Sequence, residues 1–312
     1  MKRLKNDRFA RGVSALVAVL AVILCLMITD WRPTFHHQRP VRVVTSLGVY
    51  GEVARKVAGS HGQVTTIINS TAVDPHDYQP STAQAEEVSR ANLVVVNGLG
   101  YDYWLNKLVA SNSRHTTTIN VSRQVAGKTA GDNEHVWYQP QTLPKLADKL
   151  AVQYAKLDPR HANDYRRNAR SFRQELVPLN QTIARAKRNA RAAANKRVAV
   201  TEPVFDYALK NLGYQISDPH FAKAIEDGND PSPADIQQLR DDITKHRIAF
   251  LVENTQSSDK TIDNIVNLAN QERVPVLKVT ETKSKNVSDV KWLLGEYRQL
   301  IKIQEREGLS SH

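Results

Sequence analysis

The chain has 312 residues, 41% hydrophobic and 24% charged, a globular composition long enough for two domains of ordinary size. A single cysteine, Cys25, excludes a disulfide framework, a zinc finger and an iron–sulfur cluster, each of which needs several thiols. The formal net charge of +11 sits in two segments, +4 in residues 1–11 and +9 in residues 159–197; the remainder sums to −2, so the basicity is no argument for a nucleic-acid partner.

In chain order, the basic opening is followed by an apolar run of 17 residues, 13–29. As a helix it would reach about 25 Å, near the thickness of a bilayer core. Positive residues before it and Trp31 after it place the N-terminus inside and the rest of the chain on the outer face of the cytoplasmic membrane. No small-x-small cleavage site follows in Ile28-Thr29-Asp30-Trp31, so the run reads as an uncleaved anchor rather than a removed signal. Cys25 is the alternative, as a lipid-attachment residue, disfavoured by Leu24 where a small residue normally stands. Residues 1–40 are thus anchor or signal plus a tether at 32–40.

From Val41 apolar runs alternate with helical stretches, which predicts α/β architecture built on parallel sheets. Strands are expected at 41–46, 64–68 and 93–97, with helices at 47–58 and 81–90, the second capped by Ser81. Residues 158–194 predict one long helix: Asp158 caps it, Pro159 opens it, and Tyr165, Ala169, Phe172, Leu176, Leu179, Ile183 and Ala186 form a single apolar stripe that Pro178 should bend. The basic residues on its other faces read as a solvated surface, or as a contact for anionic envelope polymers or lipid headgroups. The strand–helix pattern then resumes, with strands at 197–201, 248–252 and 274–279. Helices are expected at 204–212, ending at Gly213, from Ser232-Pro233 onward, and at 260–271. The expected organisation is an N-terminal α/β lobe at 41–157, a linking helix at 158–195 and a C-terminal α/β lobe at 196–312, with no close sequence repeat. A ligand belongs in the crevice beyond the carboxyl ends of the strands.

Four loops at strand ends offer metal ligands. Asp74-Pro75-His76-Asp77-Tyr78-Gln79-Pro80 holds one imidazole between prolines, and Asn133-Glu134-His135-Val136-Trp137-Tyr138 a second beside two aromatics. Thr201-Glu202-Pro203 and Val279-Thr280-Glu281-Thr282 each add a carboxylate. Two imidazoles and two carboxylates spread over both lobes would make a nitrogen/oxygen cage for one divalent cation. Tyr78, Trp137 and Tyr138 would exclude water from it. His220, in a second Asp-Pro-His, is the alternative ligand; His36, His37, His61, His115, His161 and His246 read as solvated. No His-Glu-x-x-His or Gly-Lys-Ser/Thr motif occurs, and Asn97-Gly98-Leu99-Gly100 is too short for a phosphate fingerprint.

At these residues the sequence resembles the substrate-binding proteins of bacterial metal-ion ABC transporters, the manganese and zinc receptors also described as surface adhesins. Further matching motifs are Asn-Gly-Leu-Gly-Tyr-Asp-Tyr-Trp at 97–104, Thr-Glu-Pro-Val-Phe-Asp-Tyr at 201–207 and Glu-Asn-Thr-Gln at 253–256, and the likeness runs in unbroken order from about 41 to 305. The resemblance implies two Rossmann-like lobes around a long rigid helix, and one metal in the interlobe cleft held by His76, His135, Glu202 and Glu281. It also implies a monomer that delivers its metal to a membrane permease and catalyses nothing. In the family the third ligand is commonly His in zinc receptors and Glu in manganese receptors, so Glu202 is the manganese form; the fourth is often Asp, which makes Glu281 a departure. The His-rich loop of many zinc receptors is absent. A harder, more anionic site favours manganese as cargo, although raw affinity still follows the Irving–Williams order toward zinc. Binding should weaken below about pH 6 as the imidazoles protonate. The competing readings are an adhesin with a structural metal and a secreted metallohydrolase, for which Glu134 beside His135 is the one suggestive base.

Overall fold

The computed structural model describes residues 11–23 and 40–310, except 72, 74, 76, 77, 113–115 and 258. The chain forms two compact units, Met1–Arg39 and Pro40–His312. In the first, residues 11–23 are helical (α1) and expose Val13, Leu16, Val17, Val19, Leu20, Val22 and Ile23. The remainder of the apolar run, with Cys25 and the tether, lies outside the described residues. Among the described residues no helix is long and apolar enough to cross a membrane, so the helical anchor read from the sequence is not borne out. The described turns of α1 would reach about 20 Å, short of a bilayer core.

The second unit holds two four-stranded parallel sheets. In the first, β1 (Val41–Leu47), β2 (Gly62–Ile68), β3 (Leu93–Val96) and β4 (Thr117–Asn120) lie in the order β2-β1-β3-β4, with Val43 opposite both Val64 and Leu93. In the second, β5 (Arg197–Val200), β6 (Gln215–Ile216), β7 (Leu251–Asn254) and β8 (Val276–Val279) repeat that order as β6-β5-β7-β8. Strand order is therefore shared by two lobes whose sequences show no repeat. The interior strands β1 and β3 are covered on both faces, which is why they read as near-continuous valine runs. The edge strands β4 and β6 are short, with three polar residues of four in β4 and one of two in β6, and β4 escaped the sequence reading for that reason.

Helices cover the sheets in the connections: α2 (Gly48–Ala58), α3 (Thr82–Arg90), α4 (Tyr103–Asn112), α5 (Val121–Gln124) and α6 (Thr142–Leu157) in the first lobe. As expected, Ser81 caps α3, accepting from the Gln84 N–H while the Gln84 side chain accepts from the Ser81 N–H, a reciprocal capping box. The linking segment differs from the expected single bent helix. It is a 3-10 turn at Pro159–His161 followed by α7 (Ala162–Glu175) and α8 (Val177–Ala192), with Leu176 between them. Pro178 has no N–H to continue the ladder and sits instead in the first turn of a new helix, where that donor is not needed. The apolar stripe survives the break and is buried throughout, while Arg166, Arg170, Arg188 and Arg191 are exposed.

Two expectations at the start of this segment are corrected. The Asp158 side chain caps nothing; it takes the His161 ring nitrogen at 2.5 Å and the Tyr165 hydroxyl at 2.8 Å. His61 and His161 are not simply solvated: their rings stack at 3.7 Å, and Asp164 lies 3.0 Å from His61 Nε2.

Beyond the linker come α9 (Asp206–Leu212), α10 (Pro219–Glu226), α11 (Pro233–Thr244), α12 (Lys260–Gln271) and α13 (Asp289–Ser310). Gly213 ends α9 at φ 99°, a left-handed cap that suits a residue without a Cβ. One core cluster runs through both lobes and the linker, carrying an aromatic chain in which Tyr138 packs against Phe205 (5.0 Å) and Trp292 (5.6 Å), and Phe205 against Tyr297 (5.5 Å). Each such ring stabilises by about 1.5–3 kcal/mol through burial alone. A second cluster, around Phe221, Leu239 and Ile265, serves the second sheet.

Candidate metal centre

His135 stands in the loop that leaves α5, just before the 3-10 turn Val136–Tyr138, and is 1% exposed. Asn133 governs its chemistry. The Asn133 amide donates to Pro203 O at 2.6 Å, which points its carbonyl oxygen the other way. That oxygen accepts from the His135 backbone N–H at 2.7 Å and lies 3.0 Å from Nδ1. Nδ1 thus faces the Asn133 oxygen while Nε2 faces Glu281 Oε1 at 3.4 Å, so each ring nitrogen has an oxygen acceptor before it. Trp137 packs edge-on to the imidazole at 5.2 Å and Tyr101 at 6.0 Å. Trp137 and Tyr138 are buried, consistent with exclusion of water; Tyr78 leans on Trp104 instead, ring to ring at 4.9 Å.

Glu281 follows β8 and accepts from the Tyr101 hydroxyl at 2.7 Å. Tyr101 is delivered by the tight Asn97–Asp102 loop. There Gly98 adopts φ 91°, and a Cβ on it would lie 2.5 Å from the Asn120 amide, so only glycine fits. Asp102 closes the loop, accepting from the backbone N–H of Asn97 and of Gly98. The glycines read as a failed phosphate motif thus shape a support for Glu281. Around Glu281, Thr280 is pinned on three sides. Its N–H donates to Glu296 at 3.0 Å, its carbonyl accepts from the Tyr138 hydroxyl at 2.5 Å, and its hydroxyl accepts from the Trp292 indole at 2.8 Å.

Glu202 follows β5. The Asn254 amide donates to its carboxylate, and the Thr201 hydroxyl accepts from the Asn254 N–H at 3.0 Å. Burial pushes the Glu202 carboxyl up and the Glu281 charge adds to this, while the Asn254 and Ser257 bonds and the His135 charge oppose it. Three of the four sequence-derived residues are therefore within electrostatic reach of one another. The fourth, His76, lies outside the described residues. Its loop is held on either side: Pro75 O accepts from the Trp104 indole at 3.3 Å, and Thr71 O accepts from the Gln256 amide, on the other lobe, at 2.7 Å.

For His135 burial favours the neutral ring, but the bond to and charge of Glu281, with the charges of Glu226 and Glu134, outweigh it and raise the imidazole above its ordinary value. Glu226 was not anticipated. It ends α10, its side chain is 6% exposed, and its Oε1 lies 3.6 Å from His135 Nδ1. Ligand atoms of Glu134, His135 and Glu226 lie within 4.8 Å of one another. The sequence reading looked for ligands at strand ends, and Glu226 closes a helix; the available signal was an acidic residue in a last turn, where the helix dipole disfavours it. His220, the alternative ligand, is exposed at the other end of α10.

Comparison with known proteins agrees with this architecture. The manganese-binding lipoprotein MntA of Halalkalibacterium halodurans is 28% identical over 174 residues, 54% of this chain and 57% of that protein. Its namesake in Bacillus subtilis is 23% identical over 234 residues, 72% and 74% of the two chains. The solved periplasmic metal binding protein of candidatus Liberibacter asiaticus superposes with a TM-score of 0.69 at 18% identity, covering 84% of this chain and 98% of that one, which establishes the shared fold. The profile of the periplasmic zinc-uptake complex component A, ZnuA, matches residues 43–302, and the chain belongs to that family.

Proposed function

We propose that the chain is an extracytoplasmic receptor that takes one divalent cation between its lobes through His76, His135, Glu202 and Glu281 and hands it to the permease of an ABC transporter. Binding and release are its whole activity. It works at the outer face of the cytoplasmic membrane, with the N-terminal segment as its point of attachment. One observation carries the reading: a buried imidazole, held at Nδ1 by Asn133, turns its Nε2 toward Glu281 of the opposite lobe, at 3.4 Å. Nitrogen and oxygen donors that close on one point from two lobes suit a captured cation. The carboxylate share of the donor set, and relatives named for manganese, favour manganese as cargo over zinc.

Elemental analysis after equilibration with buffered manganese and zinc together tests this. The parent chain should hold one metal per molecule, and His135→Ala and Glu202→Ala should each hold far less. Unchanged stoichiometry in both variants rejects the ligand set.

A further inference from the structure

We infer that Glu226 is a positioning residue for the metal centre: a carboxylate behind His135 that holds the imidazole by its Nδ1 edge and strengthens its Nε2 as a donor to the cation. The inference rests on His135 being a ligand, as proposed above.

Several features of Glu226 agree. A carboxylate in the last turn of α10 faces the negative end of the helix dipole, an unfavourable place that an ion pair with Lys223 offsets locally at one of its oxygens. Its two oxygens have different surroundings. Oε2 meets Lys223 Nζ at 3.1 Å, one turn back on the same helix, which holds the group so that Oε1 turns inward. Oε1 is buried without a hydrogen-bond partner among the described residues, and His135 Nδ1 stands 3.6 Å from it. Buried carboxylate oxygens without a donor are costly by about 1–3 kcal/mol, so a native one calls for a reason.

The imidazole therefore has a carboxylate at each edge, Glu281 at Nε2 and Glu226 at Nδ1. With a cation on Nε2 the ring proton sits on Nδ1, where the Asn133 oxygen, 3.0 Å away, can accept from it. Direct ligation by Glu134, Nδ1 and Glu226 would require that proton to leave and the Asn133 contact to be lost. When a cation draws electron density from Nε2, Nδ1–H becomes a stronger donor, and a carboxylate behind it returns density to the ring. Such outer carboxylates orient the ligand and raise its donor strength, and their loss typically weakens metal binding by about 10–100-fold.

The test uses the full chain as Glu226→Gln, Glu226→Ala and, for reference, His135→Ala. Zn2+ affinity is read by competition with a chromophoric chelator, the metal-free melting temperature is measured alongside, and the imidazole N–H resonances of the Zn2+-loaded protein are followed by NMR. The Glu226 variants should bind Zn2+ about 10-fold or more weakly. They should melt no lower than the parent, and they should shift the resonance that His135→Ala abolishes. A merely structural residue would lower the melting temperature and leave that resonance in place. If His135→Ala loses binding while both Glu226 variants stay within about threefold of the parent, well under the loss such a group should cause, the inference falls and the ligand set stands. If His135→Ala binds as the parent does, both fall.

Discussion

Asn133 is not among the proposed ligands, yet it meets His135 at two points. Its amide serves Pro203 O while its oxygen accepts from the His135 backbone N–H and faces Nδ1, so one side chain orients the ring and ties two loops from different lobes. Asn133→Ala should weaken metal binding by about 10–100-fold, as loss of a ligand-orienting partner does. It should also lower stability by about 1–3 kcal/mol, since the buried His135 N–H is left without its acceptor. Chelator competition and denaturant titration measure the two effects separately. Asn133→Asp keeps an acceptor but loses the donor to Pro203 O, and it should restore affinity better than stability.

At the scale of elements, α13 works as a clamp. From its second turn Glu296 reaches Thr280, which carries Glu281, and Tyr138, three residues beyond His135. The carboxyl is fully buried, and burial pushes its pKa up to about 8 against the bonds from Thr280 and Tyr138 that favour its charge. An acid whose folded pKa exceeds its unfolded value binds its proton more tightly in the native state. Its contribution to stability is therefore present at low pH and is lost as pH rises from about 4.5 toward 8. Stability of the metal-free protein, followed by urea unfolding across that window, should decline with pH, and Glu296→Gln should flatten the decline; an unchanged slope would assign the titration elsewhere. What was legible in the sequence at this scale had local chemistry behind it. Ser81, Ser232 with Pro233, and Gly213 after Leu212 mark helix ends through bonds within a few residues, and all three hold. Glu202 and Glu281 were legible as candidates because single carboxylates follow the buried strands β5 and β8. Glu296 and Glu226 were not, because each lies on a helix as an ordinary-looking glutamate and gains its role only from a neighbour more than ten residues away. The division of the linking helix was half visible: Pro178 announced a disturbance, but whether the chain bends or starts a second helix depends on packing against both lobes.

Across the whole molecule the lobes are joined beneath the site as well as at it. Lys283, two residues past Glu281, is buried between Glu52 of α2 and Asp289 at the start of α13, with Asp289 at 2.8 Å and the Val287 carbonyl at 2.9 Å. Glu52 also accepts from the Asp289 N–H at 3.0 Å. Two carboxylates share one ammonium, and burial together with the Glu52 charge pushes Asp289 well above the usual carboxylate range, against the Lys283 charge. Gln256 bonding to Thr71 O, Tyr138 to Thr280 and a core continuous through both halves add to the tie. A wide hinge opening would have to break all of these together, whereas reordering of one ligand loop would break few. Loading with metal should therefore leave the radius of gyration unchanged by solution scattering, with protection from hydrogen exchange gained at the His76 and Glu281 loops. Lys283→Met should lower stability by about 3–5 kcal/mol, because it leaves buried carboxylates without their cation. Adding Glu52→Gln and Asp289→Asn should recover most of that loss. If the recovered triple variant then shows a radius of gyration that changes with metal, the buried tie is what keeps the parent's lobes from swinging. If it shows none, the continuous core is sufficient.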